Sequence, residues 1–352
     1  MSLNRAVPLS VLDLVPVASG STPTHAVRNT LDLARHAERL GYTRYWIAEH
    51  HGMPGIASSA TSILIGQVGA ATSGIRIGSG GIMLPNHAPL VIAEQFGTLG
   101  ALFPGRVDLG IGRAPGTDAA TARALRRSTG PLSADDFPAQ LAELVAFLGG
   151  TFPPDHPLRA VTAVPQSDMP PIWLLGSSGY SAQAAGILGL PFAFAHHFSS
   201  ANTLPALDLY RSTFRPSPGW DRPYAMVAAA VLCAETDTAA QWLAGPTKLA
   251  MLRLRHGQPG VFPTPAQAHA YPWTPAERAA ADSATASHIV GSPETVRVGL
   301  DALIDATDAD EIMITTNVNP HADRLRSYEL IAEFADLSRH PVSSGAPASR
   351  TG

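Results

Sequence analysis

Two histidine pairs and one arginine in a glycine-rich loop are the residues of this sequence best suited to chemistry. Glu49-His50-His51 and His196-His197 each follow a short apolar run, and Arg113 lies in Gly-Ile-Gly-Arg-Ala-Pro-Gly. An imidazole can move a proton or stabilise an oxyanion at neutral pH. A guanidinium offers a fixed fork of donors to a phosphate or a carboxylate. Because side chains leaving a strand alternate, we expect only one histidine of the first pair to face the site.

A hydroxyl-rich run follows the next predicted strand and opens a helix; it comprises Gly176, Ser177, Ser178, Gly179, Tyr180 and Ser181. Hydroxyl and free backbone N–H groups at a helix N-terminus bind phosphate well, although serine is also an ordinary helix cap. The Arg113 loop follows the preceding strand, so adjacent barrel strands would bring its guanidinium and this helix terminus onto one phosphate. Arg123 or Arg127 could add a second positive charge.

Glycines at the ends of two predicted strands indicate a place where a flat ligand can approach the backbone. Gly80 and Gly81 end one strand and are followed by Asn86 and His87, and Gly112 ends the next strand. A glycine has no side chain to hold a ligand away. The alternative is that these glycines serve only tight packing within the sheet.

A metal-dependent barrel hydrolase is another interpretation of the paired histidines. Such a centre needs several ligands that converge on one point, with supporting partners. No His-x-His follows the first predicted strand, and Thr315-Thr-Asn-Val-Asn rather than a carboxylate follows the last. We therefore predict no metal site.

Apolar runs alternate with helical patterns along the chain, with strand starts near residues 7, 43, 75, 106, 171, 191, 224 and 310. Eight such units predict a (β/α)8 TIM barrel, whose ligands bind at the carboxyl ends of the strands. An open doubly wound sheet is the alternative, but no Gly-x-Gly-x-x-Gly turn follows the first strand. A proline-rich insertion, 257–286, follows the seventh strand and its helix. We interpret it either as a mobile lid or as a surface excursion with no functional role.

Composition and charge limit the classes of protein to which this chain can belong. It has 352 residues, 45% apolar content and a formal net charge of −4. This length allows one large domain, predicted at 1–340 with a disordered tail at 341–352. No basic tract indicates nucleic-acid binding, and no apolar run is long enough to span a membrane. The lone Cys233 suits a reducing compartment, so we expect a cytoplasmic protein.

Several motifs, taken in order, resemble those of the bacterial luciferase-like monooxygenase family. They include Trp46-Ile-Ala-Glu-His-His, Ile77-Gly-Ser-Gly-Gly-Ile-Met-Leu-Pro and Pro104-Gly-Arg-Val-Asp-Leu-Gly-Ile-Gly-Arg-Ala-Pro-Gly. The resemblance implies a flavin-dependent barrel that uses reduced flavin mononucleotide (FMN), supplied by a separate flavin reductase, and O2 to oxygenate a small substrate such as an aldehyde. Some relatives instead transfer hydride with a deazaflavin, and others bind flavin without turnover. Both stay open as alternatives.

The resemblance also implies roles for individual residues. His50 matches the family's catalytic histidine. Gly80–Gly81 matches a peptide under the flavin that is often a cis bond. The other implied positions are cofactor contacts at Gly112, Arg113, Ser177, Ser178, Gly179, Tyr180 and Ser181, and ring or substrate contacts at Asn86, His87 and His196.

Two positions depart from the light-emitting members of the family. Gly112 stands where the luciferase α-chain has a reactive cysteine, and Ser177 stands where it has a glutamate. The resemblance therefore implies monooxygenation but not light emission. The family commonly dimerises through its second and third helices. The predicted helix at 58–72 is apolar on more than one face, so we expect a homodimer.

Overall fold

Eight parallel strands close into a barrel with helices packed around it in the computed structural model of the chain. The structure describes residues 2–126 and 136–337. The described residues contain nine strands, of which all but β8 form the ring: β1 (Leu9–Asp13), β2 (Arg44–Ile47), β3 (Arg76–Met83), β4 (Val107–Gly112), β5 (Ile172–Gly176), β6 (Phe192–Ala195), β7 (Ala225–Cys233), β8 (Ile289–Gly291) and β9 (Glu311–Thr315). Strands β1 to β7 pair in sequence, and β9 joins β7 to β1. The predicted (β/α)8 TIM barrel is confirmed.

Strand β8 is an addition to the ring that the sequence pattern does not reveal. It pairs in parallel with the end of β7, with Val231 beside Ile289 and Cys233 beside Gly291. It has only three residues, two of them partly exposed, so it leaves no recognisable apolar run. Because it follows the predicted insertion, it ties the returning chain to the barrel.

The helices, in chain order, are α1 (Pro23–Leu40), α2 (Thr61–Ala71), α3 (Pro89–Leu102), α4 (Ala119–Arg126), α5 (Phe137–Gly149), α6 (Gly179–Leu188), α7 (His196–Ser199), α8 (Thr203–Thr213), α9 (Asp237–Arg255), α10 (Pro265–Ala270), α11 (Pro275–Ala284), α12 (Pro293–Thr307) and α13 (His321–Ala335). Thr22 caps α1 by accepting from the His25 N–H, and Gly41 ends it at φ 89°. Among the described helices, none is long and apolar enough to cross a membrane.

Some predicted helix ends differ from the structure or fall outside it. The apolar pattern after the hydroxyl-rich run predicts a helix from Ala182 to Leu188, and α6 begins three residues earlier, at Gly179, with Ser178 as its N-cap residue. The run Ser133-Ala-Asp-Asp predicts the start of another helix. Residues 127–135 lie outside the described residues, and α5 is described from Phe137. The predicted tail at 341–352 also lies outside them.

The stretch predicted as an insertion folds into α10 and α11. Thr264 and Thr274 each begin one of these helices with a reciprocal capping box. Before them, the Phe262 N–H donates to the Val17 carbonyl, and the Phe262 carbonyl accepts from the Ser19 N–H. These bonds hold the start of the insertion against the loop that follows β1.

Alternation along the strands separates the barrel interior from the layer under the helices. In β2, Tyr45 and Ile47 pack outward, whereas Trp46 belongs to the inner cluster. Trp46 meets Trp173 of β5 edge to face, with ring centroids 5.3 Å apart. Met313 of β9 joins the same cluster. These side chains fill the middle of the barrel with apolar volume.

Buried charges fill the end of the barrel where the strands begin. Asp108 accepts hydrogen bonds from Arg44 at 2.9 Å and from Arg76 at 2.5 Å. Glu311 accepts another from Arg44 at 2.8 Å. Burial alone would raise the pKa of Asp108, but the charges of Arg44 and Arg76 outweigh burial and lower it. Two carboxylates and two guanidiniums therefore neutralise one another inside the barrel.

Replacing Asp108 with asparagine is expected to lower the free energy of unfolding by about 3–5 kcal/mol, because buried guanidiniums lose their counter-charge. Urea unfolding followed by circular dichroism measures the loss. Because the pKa of Asp108 is lowered on folding, its stabilising contribution is present at neutral pH and is lost as the pH falls through that lowered pKa. The difference between parent and variant should therefore shrink in acid.

The matched control for this prediction is Glu235→Gln, which breaks an exposed ion pair with Arg326. Exposed pairs contribute little, so the expected loss is below about 1 kcal/mol. Equal losses for the buried and the exposed variant at pH 7 would contradict the role of Asp108.

Candidate functional site

A cavity of about 700 Å³ opens at the carboxyl ends of the barrel strands, and its volume lies in the usual range for ligand pockets. The predicted site residues that line it are His50, Gly80, Gly112, Arg113, Ser177, Ser178 and Ser181. Gly81, Gly179 and Tyr180 are their immediate neighbours in the chain. Because parallel strands end together at one face of a barrel, the fold brings most of the predicted site into one place.

The Gly80–Gly81 peptide gives the cavity a section of bare backbone. It is a cis peptide bond, which confirms the geometry expected from the family resemblance. A Cβ atom on Gly80 would lie 2.6 Å from the Cδ1 atom of Leu12, and one on Gly81 would lie 2.8 Å from the carbonyl oxygen of Gly110. Both positions therefore exclude a side chain, and a flat ligand can approach the main chain here.

His50 lies in the cavity wall, as predicted, and its Nδ1 atom is buried with no hydrogen-bond partner among the described residues. Burial lowers the pKa of His50, the charge of Glu49 opposes this shift, and His51 adds to it. The ring is therefore neutral at pH 7. An imidazole in this state can accept a proton from a ligand.

Glu49 holds together the loops beside His50. Its Oε1 atom accepts from Nε2 of His51 at 2.8 Å and from Nε2 of His87 at 2.9 Å. Its Oε2 atom accepts from the Met83 N–H at 3.0 Å. Burial would raise the pKa of Glu49, but these hydrogen bonds outweigh burial and lower it. The two imidazoles and the carboxylate lie within 4.8 Å of one another, as metal ligands also do, and they satisfy one another through hydrogen bonds.

Asn86 and His87 differ from their predicted place on the ring or substrate side. Neither lines the cavity. His87 turns towards Glu49, and Asn86 donates to the Pro115 carbonyl at 2.8 Å. The physical reason is a 3₁₀ turn, Leu84–Asn86, that follows β3 and ends the strand alternation. The two side chains brace the loops behind His50.

Arg113 and the N-terminus of α6 meet at the cavity. The guanidinium carbon of Arg113 lies 4.1 Å from the ring centroid of Tyr180, in the first turn of α6. Ser178, the N-cap residue, makes no capping hydrogen bond with its side chain. The predicted convergence of a guanidinium, a hydroxyl and helix N-terminal amides is therefore present. Arg123 is exposed on α4, and Arg127 lies outside the described residues.

In the second histidine pair, the residue that faces the cavity is not the one that was predicted. His197 rather than His196 lines the cavity. Burial lowers the pKa of His197 to about 4, and its Nδ1–H donates to the Ala228 carbonyl at 3.0 Å. His196 instead bonds the Thr203 hydroxyl at 2.8 Å. Strand β6 ends at Ala195 and runs directly into α7, so strand alternation no longer decides which ring faces the barrel.

The side of the cavity nearest the insertion contains polar residues that the motifs did not reveal. Lys248 of α9 and Asp282 of α11 line it and form an ion pair at 2.7 Å. Thr315 and Asn317, at the end of β9, line it as well. The Thr315 hydroxyl and the Asn317 amide oxygen are buried with no partner among the described residues. One sequence signal marks Lys248: it is the only lysine of the chain.

Comparison with known proteins identifies the family. The family model for luciferase-like monooxygenases matches residues 7–310. A luciferase-like monooxygenase of Escherichia coli (strain K12) is 48% identical over 335 residues, which cover 95% of this chain and 98% of that protein. The N-acetyl-S-alkylcysteine monooxygenase of Bacillus subtilis (strain 168) is 33% identical, over 92% of this chain and 97% of that protein. The crystal structure of apo-MsnO8 has a TM-score of 0.85 and 40% identity, covering 94% of this chain and 98% of that chain.

The chain therefore belongs to the luciferase-like monooxygenase family. This assignment confirms the resemblance carried by the sequence motifs, and it makes the protein an oxidoreductase of the monooxygenase type.

If the cavity binds a phosphate-bearing flavin, replacing Arg113 with alanine is expected to weaken that binding about 10- to 150-fold, since a hydrogen bond to a charged group contributes about 1.5–3 kcal/mol. Fluorescence titration of the purified protein with FMN measures the dissociation constant. The matched control is Arg123→Ala, which removes an exposed arginine from the nearby helix α4 and is expected to leave the constant within about twofold. Unchanged affinity in Arg113→Ala would place the phosphate elsewhere.

Proposed function

We propose that this chain is a monooxygenase that uses reduced FMN, supplied by a separate flavin reductase, and O2 to oxygenate a small, largely apolar substrate. The observation that carries the proposal is the position of His50. Its neutral imidazole, with a buried and unpartnered Nδ1 atom among the described residues, shares the cavity with the bare backbone at Gly80. A flat ligand on that backbone therefore has a proton acceptor in the same cavity.

The residues of the cavity suit a phosphate-bearing flavin. Arg113, Ser178 and the first turn of α6 offer donors to the phosphate. Gly80 leaves the ring a surface free of side chains, and Trp46 and Met313 supply apolar contact that excludes water. When bound, the reduced flavin supplies the electrons for the reaction with O2.

His50 has the proton-transfer role in this proposal. Because burial keeps its pKa below the usual value for histidine, the ring is neutral through pH 7 and can take up a proton at its Nδ1 atom. Glu49 engages the adjacent His51 instead. His50 therefore faces the ligand, whereas His51 holds the loop in place through Glu49.

The names of two relatives favour oxygen chemistry over hydride transfer. One is called a luciferase-like monooxygenase, and the other an N-acetyl-S-alkylcysteine monooxygenase. Insertion of oxygen requires a reduced cofactor that reacts with O2, and for this reason we favour FMN over a deazaflavin. The second name adds a thioether to the aldehyde implied by the family resemblance, so thioethers and aldehydes are the substrate classes to test first.

The experiment supplies the purified protein with chemically reduced FMN and ¹⁸O2 in the presence of an alkyl thioether or a long-chain aldehyde. We expect one ¹⁸O atom in the product, detected by mass spectrometry. A parallel anaerobic reaction contains a reduced deazaflavin and a ketone. Hydride transfer in that reaction, without ¹⁸O incorporation in the first, would overturn the proposal in favour of the deazaflavin alternative. Flavin binding without either product would favour a non-catalytic flavin protein.

Replacing His50 with glutamine is expected to lower turnover by about 10²- to 10⁴-fold, the usual contribution of a general acid or base. The affinity for FMN should change little, because the phosphate donors stay in place. Since protonation removes the accepting nitrogen, parent turnover should fall on the acid side, as the pH drops through the lowered pKa of His50. The exposed His25 provides the matched control, His25→Gln. Equal turnover in the two variants would remove His50 from the mechanism.

We also propose that the protein is a homodimer that associates through α2 and α3. Large apolar side chains are exposed on these helices: Ile63 is 69% exposed, Leu102 62% and Val91 43%. Large apolar side chains exposed on two helices that pack side by side are typical of an interaction site.

Replacing Ile63 with glutamate is expected to convert the dimer to monomer, because the new charge would be buried without a partner. Light scattering after size-exclusion chromatography at micromolar concentration should give twice the chain mass of 36.8 kDa for the parent. Val298→Glu changes a valine that is 51% exposed on α12 and should stay dimeric. A monomeric parent, or loss of the dimer in both variants, would contradict this interface.

A further inference from the structure

One arginine and one lysine line the cavity within the part of the chain that the structure describes. They are Arg113, at the end of β4, and Lys248, on α9. The chain has 24 lysine and arginine residues together, and Lys248 is the only lysine. The phosphate of a flavin accounts for Arg113 under the proposed function. Lys248 then has no ligand assigned to it.

The ion pair of Lys248 is exposed enough for an incoming anion to displace Asp282 from the lysine. The Nζ atom of Lys248 lies 2.7 Å from Oδ1 of Asp282, and the side chain of Asp282 is 54% exposed. Ion pairs with this exposure contribute little to stability because water competes for both charges. A ligand carboxylate inside the cavity can therefore replace Asp282 as the partner of Lys248 at little cost.

The surroundings of Lys248 favour an acid group attached to an apolar body. Met251, Leu232 and Val290 line the same side of the cavity. His288 and His197 also line it, and burial lowers the pKa of both, so neither carries a competing charge at pH 7. Asp282 is the one carboxylate among the described residues of the lining.

We propose that the Lys248 ammonium binds the carboxylate of an otherwise apolar substrate, and that Asp282 holds the lysine in place until the substrate arrives. The inference rests on the proposed function for the assignment of the phosphate to Arg113. Lys248 stands on the helix after β7, and Arg113 follows β4, with β5 and β6 between them in the ring. The substrate acid and the flavin phosphate therefore have separate cations.

The single lysine allows a binding test that needs neither flavin nor turnover. Reductive methylation with ¹³C-formaldehyde keeps the charge and labels only Lys248 and the chain's amino terminus. Octanoate is expected to shift the lysine methyl signal in a saturable way, whereas 1-octanol at the same concentrations should not. Equal shifts with both, or no shift with octanoate, would overturn the proposal. A shift with FMN but not with octanoate would also overturn it and would assign Lys248 to the phosphate.

Three variants distinguish two roles of the Lys248–Asp282 ion pair: recognition of a ligand carboxylate, and a purely structural contact between α9 and α11. Isothermal titration calorimetry measures octanoate binding here, because the variants at Lys248 lack the labelled lysine. Lys248→Met is expected to weaken octanoate binding at least tenfold, and Lys248→Arg should largely restore it. Asp282→Asn removes the ion pair but leaves the Lys248 ammonium in place. Octanoate should therefore bind to this variant as tightly as to the parent, or more tightly. If Asp282→Asn weakens binding as much as Lys248→Met does, the pair only holds the helices together.

A substrate series then connects binding to catalysis. With an alkylthio carboxylic acid and its methyl ester as substrates, Lys248→Met should raise KM for the acid at least tenfold and leave kcat nearly unchanged. The KM of the ester should not change. An equal effect on acid and ester would exclude recognition of the acid group. Absence of turnover in the parent would refute the proposed function but leave the binding result intact.

Discussion

The buried charge network around Asp108 is the constraint on which the rest of the barrel depends. Arg44, Arg76 and Glu311 complete the network. It therefore joins strands β2, β3, β4 and β9 near their starts. The cost of burying these charges is offset only when each has its partner. Because the network closes one end of the barrel and the tryptophans fill the middle, the remaining space is at the carboxyl end, where the ligand site lies.

At that end, the close approach of neighbouring strands requires glycine in the wall of the cavity. Strands β3 and β4 approach so closely that a Cβ atom on Gly110 would lie 2.1 Å from the Ser79 carbonyl oxygen. Glycine is therefore a packing requirement in the wall of the cavity. The two explanations of these glycines offered by the sequence are not exclusive. Gly80, the residue after Ser79, lines the cavity.

The sequence predicts the barrel and the strand-end residues well, because alternation and helical periodicity report directly on burial. Alternation predicts that one histidine of the first pair faces the site, and the family resemblance selects His50 over His51. The resemblance also implies ring or substrate contacts at His196 and His87, and neither residue lines the cavity. The chain leaves β6 and enters a helix before the second pair ends, and a 3₁₀ turn follows β3, so strand alternation does not extend to either residue. The sequence did not predict Lys248 as a site residue for a different reason. It lies on a helix far along the chain, and only the closed fold brings α9 to the cavity.

The contrast between two ion pairs explains how one chain serves both stability and binding. Arg44 and Asp108 are almost fully buried, and neither can exchange its partner without leaving an uncompensated charge. Lys248 and Asp282 are partly exposed, so water can take the place of either partner. A charge meant to hold strands together belongs in the first environment. A charge that exchanges one anion for another requires partial exposure, as at the wall of a cavity.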